Sequence, residues 1–186
     1  MAEVLEKKIT VQAFQEMEFP ENDFFIYELI NGVIMRKAAS QPAHQFVVRR
    51  LSKAFEAFLD AHPMGEFLTS PIDVFFDEYN RTQPDVLFIV KDRMFIIDLV
   101  NGIMGAPDLI VEVISPGSVT ADKVLKKDLY LRFGVKEYWL VDLHNKTVEL
   151  YVLKNNQYVM QQFLEIEGMV ESTVLIGLEL NIRDLF

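Results

Sequence analysis

The sequence predicts an α/β protein built on a mixed β-sheet. Three observations indicate this fold class: strand patterns are many, helix patterns are few, and one helix pattern separates two strongly apolar strand segments. With 186 residues the chain has the usual length of one domain, so we expect a single domain over residues 1–186, with an N-terminal arm at 1–22. Hydrophobic residues make up 51% of the chain, which excludes global disorder.

Eight segments have the composition of short strands bounded by turn residues. Asn31-Gly32 and Asn155-Asn156 each separate two of these segments and predict β-hairpins, because these residues tolerate the positive φ of tight turns. An acidic loop is expected at 77–84, and one or two further short strands at the C-terminus. The predicted strands are residues 24–30, 33–35, 72–76, 86–90, 109–114, 137–141, 147–153 and 157–163.

Two helices are predicted between these strands. Apolar residues recur at helical spacing over residues 44–59. The second helix is capped by Ser118 or Thr120 and runs to Phe133, where Gly134 closes it. Because this helix connects two of the predicted strands, we expect a parallel strand pair joined by a right-handed crossover.

Composition and charge exclude several classes of protein. The chain has no cysteine, which excludes a disulfide scaffold, a thiolate zinc site and a cysteine nucleophile. No apolar run approaches the roughly 18 residues of a membrane span, and the N-terminus does not resemble a secretory signal. We therefore expect a cytoplasmic protein with no membrane partner. The net charge of −10 argues against a non-specific nucleic-acid coat but leaves room for a local basic groove.

Two acidic residues lie where acidic residues are costly. Asp85 begins one apolar strand, and Glu112 lies inside another. A buried carboxylate costs several kcal/mol unless it is paired or binds a metal. If the two strands are neighbours, the carboxylates meet, and a divalent cation such as Mg²⁺ or Mn²⁺ relieves their repulsion. Such an ion can polarise a phosphate and activate water. The alternative for Asp85 is an exposed residue at a strand end.

One face of the second predicted helix carries a stripe of polar residues. Asp122, Lys126 and Tyr130 follow one another at steps of four and therefore share that face. A lysine placed over the two carboxylates could hold or deprotonate a water molecule, or neutralise charge that develops on a phosphoryl group. The alternative is an ordinary solvated helix face.

Several motifs occur together in the order of a known family. They are YELINGVI at 27–34, His44 at a helix start, QPDVLFIV at 83–90, GAPDLIVEVISPGS at 105–118, the Asp122/Lys126/Tyr130 stripe, GVKEYWLVD at 134–142 and LIGLELNIRDLF at 175–186. Over residues 24–186 the chain resembles the Uma2-like restriction endonuclease family (DUF820) of the PD-(D/E)XK nuclease superfamily. The resemblance implies a restriction-endonuclease-like mixed β-sheet core flanked by helices, with an added antiparallel β region.

The resemblance also implies roles for individual residues. The motif aspartate of the superfamily falls on Asp85 and its second acid on Glu112, and both would bind Mg²⁺ or Mn²⁺. The superfamily usually has a lysine two residues after the second acid; here that position is Ile114, and Lys126 on the following helix takes its place. The implied activity is that of a metal-dependent endonuclease that hydrolyses phosphodiester bonds in DNA.

Three further residues could support this site. Asp108 lies four residues before Glu112 on the same side of the strand, so it is either an outer metal ligand or a structural residue at the strand start. Glu28 could supply the additional acid that the superfamily often places near the metal. His44 could contact a phosphate or activate water, or it could instead cap or pack its helix.

DNA as a partner requires basic residues that meet phosphates. The expected nucleic-acid-binding residues are Arg36, Lys37, Arg49, Arg50, Lys123 and Lys127. A symmetric homodimer is expected, since cutting two strands needs two sites and two-fold assemblies are common. Two alternatives stay open: a catalytically degenerate nuclease fold that binds nucleic acid or protein, and a metal-dependent hydrolase of a small phosphate ester.

Overall fold

The fold consists of two mixed β-sheets with helices packed around them. The structure is a computed structural model, and it describes residues 8–20, 25–114 and 121–186. The predicted helix caps Ser118 and Thr120 lie outside these residues. The strands of the described ranges are β1 (Phe25–Ile30), β2 (Val33–Ala38), β3 (Gly65–Thr69), β4 (Val74–Asp77), β5 (Asn80–Thr82), β6 (Val86–Val90), β7 (Ile97–Asp98), β8 (Gly102–Met104), β9 (Leu109–Ile114), β10 (Glu137–Asp142), β11 (Thr147–Lys154) and β12 (Gln157–Glu165).

Each sheet has six strands within the described residues. The first sheet has the order β2-β1-β5-β4-β8-β7, and the second has the order β12-β11-β10-β9-β6-β3. In the second sheet β9 and β10 are parallel, as the predicted crossover requires, while β6 runs antiparallel to β9. The tight turns form as predicted: Asn31 and Gly32 have φ values of 55° and 77°, and Asn155 and Asn156 have 50° and 59°.

The helices cover the sheets. α1 (Val11–Gln15) begins at Thr10, whose side chain accepts a hydrogen bond from the amide of Ala13. α2 spans Pro42–Ala61. The described part of the crossover segment is a π-helix at Ala121–Lys126 followed by α3 (Lys127–Arg132), after which Gly134 adopts a φ of 76°. No helix of the described ranges is long and apolar enough to cross a membrane.

The central strands β6, β9 and β10 of the second sheet are buried on both faces, as the apolar sequence of β9 predicts, whereas most residues of the edge strand β12 are exposed. On one face, side chains such as Val111 and Trp139 pack against α2 and the C-terminal segment. On the other face, Ile110 and Tyr138 pack with α3 and with residues of the first sheet, including Val74. Glu112 alternates with Val111 along β9 and therefore points to the face that meets the first sheet and α3.

Two expectations about secondary structure were wrong. The acidic loop at 77–84 contains the short strand β5, whose polar sequence Asn80–Thr82 lacks the apolar alternation of a strand. The C-terminal segment adds no regular strand; it forms an isolated bridge between Met169 and Asn181 and a 3₁₀ helix at Ile182–Leu185. Its apolar side chains, among them Leu175, cover the face of the second sheet instead of extending its edge.

Candidate active site

Asp85 and Glu112 come together because β6 and β9 are neighbours. Val86 pairs with Val111 in an antiparallel register, so the next position along each strand sets Asp85 opposite Glu112. Both side chains are buried. The two strands are also tied by a hydrogen bond that the Val113 amide donates to Asp85 Oδ2 over 2.7 Å.

Glu112 has one oxygen that is held firmly and one that is not. Its Oε1 accepts hydrogen bonds from Lys126 Nζ at 3.0 Å and from the Tyr130 hydroxyl at 2.7 Å. Its Oε2 is buried and accepts no hydrogen bond from the described residues, although Lys37 Nζ lies 3.7 Å away. Burial raises the pKa of Glu112 to about 8, because it outweighs the opposing effect of Lys126 and Lys37.

Asp85 has the opposite electrostatic balance. His44 Nε2 lies 3.0 Å from Oδ2, and Lys37 Nζ lies 3.3 Å from Oδ1. Burial raises the pKa of Asp85, but His44, Lys37 and the Val113 amide outweigh burial and lower it to about 2. Asp85 is therefore ionised at neutral pH.

Lys126 lies at the centre of a buried ionic network. Its Nζ is 3.0 Å from Glu112 Oε1, 2.9 Å from Glu28 Oε2 and 3.4 Å from Asp122 Oδ1. Burial lowers the pKa of Lys126, but these carboxylates outweigh burial and raise it well above its ordinary value. The predicted stripe of Asp122, Lys126 and Tyr130 therefore faces Glu112. Glu28 lies in β1 and therefore connects the network to the first sheet. Its Oε1 accepts a hydrogen bond from the Gln83 amide at 2.8 Å.

The donor set of this network fits a divalent cation. The carboxylates of Glu28, Asp85, Glu112 and Asp122 are buried, and the lysines that pair with them in the described part of the chain are Lys37 and Lys126. Glu112 Oε2 and both carboxylate oxygens of Asp122 are buried and accept no hydrogen bond within the described residues. Within those residues no group of three or more histidine or acidic side chains is arranged as a ready-made metal site. Asp85 and Glu112 would thus hold an ion together with water, which is how Mg²⁺ is commonly bound.

A cavity of about 340 Å³ lies next to two of the residues that contact Asp85, although neither Asp85 nor Glu112 lines it. Lys37 and His44 line it, and both side chains also contact Asp85. The rest of the lining includes small residues such as Ala39 and Ser40, together with Ile114 at the end of β9. Lys37 and His44 therefore lie between the cavity and Asp85.

Asp108 lies apart from this network. Its Oδ1 is 3.0 Å from Arg93 Nη1 and 2.8 Å from Lys136 Nζ, and its Oδ2 accepts a hydrogen bond from the Val90 amide at 3.0 Å. Asp108 thereby joins the start of β9 to the 3₁₀ helix at Lys91–Ile96 and to the segment before β10. These contacts favour the structural role over that of a metal ligand.

Most of the basic residues predicted to bind nucleic acid have partners inside the protein. Lys123 Nζ lies 2.6 Å from Glu149, and Lys127 Nζ lies 3.4 Å from the centre of the Tyr151 ring. Arg50 donates a hydrogen bond to the Leu185 carbonyl at 2.9 Å, and the Arg36 guanidinium lies 4.0 Å from the centre of the Phe25 ring. Lys37 belongs to the carboxylate network, and Arg49 is exposed on α2.

The position of Lys37 beside Asp85 and Glu112 was not predicted from the sequence. A signal was available: Met35 packs against the core and Lys37 is two residues further along β2, so the two side chains share a face of the strand. Reasoning from buried acids also passed over Glu137, which begins β10. Its carboxylate accepts hydrogen bonds from Trp139 Nε1 and from the hydroxyls of Ser172 and Thr173, so it holds the C-terminal segment in place.

The comparisons with known proteins agree with this architecture. The fold is that of a restriction-endonuclease-like α/β protein. The chain belongs to the Uma2 family, described as "Putative restriction endonuclease", whose sequence profile matches residues 11–183. A crystal structure from Anabaena variabilis, described as "a putative nuclease belonging to DUF820", has the same fold with a TM-score of 0.76. Its sequence identity is 22%, and the match covers 96% of this chain and 97% of that one. No functionally curated protein matches the sequence.

Proposed function

We propose that the protein is a metal-dependent endonuclease that hydrolyses phosphodiester bonds in DNA. The observation that carries this proposal is the pairing that sets Asp85 opposite Glu112, with one buried oxygen of Glu112 that accepts no hydrogen bond from the described residues. Membership of the Uma2 family supports a nuclease. The specific ion, Mg²⁺ or Mn²⁺, and DNA as the substrate are our inferences from the oxygen-only donor pair and from the family.

In this proposal Asp85 and Glu112 hold the ion. When bound, such an ion polarises a phosphate oxygen and lowers the pKa of a water molecule that attacks phosphorus. The surrounding residues orient the two carboxylates. Tyr130 and Lys126 orient Glu112 through Oε1, while the Val113 amide and His44 orient Asp85 through Oδ2.

Lys126 acts as a positioning residue in this mechanism. It is completely buried and is surrounded by Glu28, Glu112 and Asp122. That environment favours a role in fixing Glu112 over direct contact with the attacking water. His44 is better placed to meet the substrate, because it lines the cavity and contacts Asp85. We therefore assign phosphate contact or proton transfer to His44.

Cleavage of plasmid DNA in the presence of Mg²⁺ or Mn²⁺ tests this proposal. We expect the parent protein to cut, and Asp85→Ala and Glu112→Ala to lose roughly 100-fold or more of the rate, since the ion supplies several kcal/mol to the transition state. Glu149→Gln is the matched control, because Glu149 is a buried acid whose contacts, to Lys123 and Tyr151, lie outside the pair. Equal cleavage by the parent and both alanine variants would remove these residues from the mechanism.

Two experimental outcomes would favour the alternatives over this proposal. If the parent protein binds DNA but neither binds Mn²⁺ nor cuts, the protein is a binding module with a degenerate nuclease fold. If it hydrolyses a small phosphodiester with Mn²⁺ but does not cut DNA, the substrate class is wrong.

We also propose a symmetric homodimer, because two sites are needed for two strands. Light scattering of the purified protein should then give twice the mass of one chain.

A further inference from the structure

We infer that the ammonium group of Lys37 occupies the position that a divalent cation takes between Asp85 and Glu112, so that Lys37 and the cation exclude one another. This inference rests on the proposed function and deepens it. It gives Lys37 a role in metal binding that differs from the DNA contact predicted from the sequence.

The oxygens of the two carboxylates fall into two sets. One oxygen of each is held by protein groups: Asp85 Oδ2 by the Val113 amide, and Glu112 Oε1 by Lys126 and Tyr130. The other oxygens are Asp85 Oδ1 and Glu112 Oε2. Lys37 Nζ lies 3.3 Å from the first and 3.7 Å from the second, so the same ammonium group faces both.

Charge makes simultaneous occupancy unfavourable. An ion bound through both of these oxygens would lie within a few ångströms of the ammonium group. Like charges a few ångströms apart repel strongly at a site with little water, and the double charge of a divalent ion doubles that repulsion. Lys37 therefore has to leave when the ion binds.

The structure provides a space for the displaced side chain. Lys37 lies near the end of β2, and it lines the cavity of about 340 Å³ on the side away from the core. The side chain is 10% exposed, whereas Lys126 is completely buried. Lys37 can thus rotate into the cavity without breaking the core, and Lys126 cannot. In the cavity its ammonium group would meet a phosphate of the substrate, so metal loading would create a cationic phosphate contact.

Calorimetric titration with Mn²⁺ alone tests the competition. Lys37→Met removes the charge and keeps most of the side-chain volume, so we expect it to bind Mn²⁺ roughly tenfold tighter or more than the parent. Lys136→Met is the matched control, because Lys136 also pairs with a buried carboxylate, that of Asp108, which directly precedes β9 and lies outside the acidic pair. It should bind Mn²⁺ as the parent does.

A second measurement uses the parent protein and needs no variant. Lysine acetylation followed by mass spectrometry reports the accessibility of each ammonium group. We expect acetylation of Lys37 to be slow without metal and to rise several-fold with saturating Mn²⁺. Lys136, whose side chain is 56% exposed, should react at the same rate in both conditions. This measurement decides the question if Lys37→Met does not fold.

The outcomes separate this inference from the proposed function. If the parent binds Mn²⁺ and Asp85→Ala does not, but Lys37→Met binds no tighter and Lys37 acetylation is unchanged, the competition is wrong while the metal site stands. If neither the parent nor Lys37→Met binds Mn²⁺, both proposals are wrong. Binding by Lys37→Met alone would support the competition in its strongest form.

Discussion

The carboxylate of Glu112 is oriented by hydrogen bonds from its neighbours. Its Oε1 receives two hydrogen bonds from the α3 region, while its Oε2 remains available toward Lys37. A carboxylate held at one oxygen keeps its orientation, so the second oxygen stays directed toward Lys37. Groups that orient a metal ligand in this way commonly contribute strongly to metal affinity.

Tyr130→Phe tests this orienting contact. Loss of the hydroxyl removes the 2.7 Å hydrogen bond to Glu112, so Mn²⁺ should bind about tenfold more weakly in calorimetry. Tyr138→Phe is the control, because the Tyr138 hydroxyl donates to the Asp122 carbonyl and not to a carboxylate. It should retain the affinity of the parent. Equal weakening in both variants would attribute the effect to general loss of packing.

Lys126→Met tests the buried ionic network. The substitution leaves the carboxylates of Glu28, Glu112 and Asp122 without their shared cation, so we expect the free energy of unfolding in urea to fall by about 3–5 kcal/mol. Adding Glu28→Gln should recover part of that loss, since one of the uncompensated charges is then gone. A loss below about 1 kcal/mol would show that the network contributes little to stability.

Two acids four residues apart, one just before β9 and one inside it, have different roles. The spacing of Asp108 and Glu112 alone would place them on the same side of an extended strand. The neighbours of β9 make the difference: Arg93 and Lys136 surround Asp108, whereas Lys126 and Tyr130 approach Glu112. The π-helix before α3 contributes to the surroundings of Glu112, because it carries Asp122 and Lys126.

Asp108→Asn should destabilise the protein in a pH-dependent way. Burial raises the pKa of Asp108, but Lys136, the Val90 amide and Arg93 outweigh burial and lower it below its ordinary value of 3.8. The ionised carboxylate therefore contributes stability above pH 3.8, and this contribution is lost as the pH falls through the lower folded-state pKa. We expect a loss of about 1–3 kcal/mol at pH 7 that shrinks below about pH 4. Urea unfolding at several pH values measures it; a loss independent of pH would contradict the ionic role.

The charge of the whole molecule constrains how it could meet DNA. The net charge is −10, and most of the predicted basic contacts are already engaged within the protein. DNA binding would therefore depend on a few exposed basic side chains and on Lys37, once a metal ion displaces it from the two carboxylates. Arg49 is exposed on α2, whereas Arg50 holds the C-terminal 3₁₀ helix through Leu185.

Neutralising these two adjacent arginines should have different effects. Arg49→Gln should keep the free energy of unfolding within about 0.5 kcal/mol of the parent but weaken DNA binding, with a salt dependence shallower by about one phosphate contact. Arg50→Gln should lose about 1 kcal/mol of stability, because its hydrogen bond to Leu185 is gone. Urea unfolding and DNA binding at several salt concentrations measure both; an unchanged salt dependence in Arg49→Gln would exclude Arg49 from the DNA contact.

Local patterns were sufficient for much of the fold and for part of the candidate site. The Asn-Gly hairpin, the apolar strand β9 and the long helix α2 follow from turn chemistry and from hydrophobic periodicity. The stripe of Asp122, Lys126 and Tyr130 follows from helical spacing. The short strands β5, β7 and β8 do not, because two or three residues carry no readable periodicity and pair only where a neighbouring strand is present.

The amino-acid sequence by itself determined the two hairpins, the long helix and the buried strand β9, and it showed that two acids belong to apolar segments. Only the tertiary structure decided which cations those acids meet. Lys37 is 75 residues from Glu112 along the chain and Lys126 is 14, yet both reach the same carboxylate. Such contacts depend on how the first sheet and α3 pack on the second sheet. A residue's spacing reports the face on which it lies, whereas its ionic partner is set by the element that packs against that face.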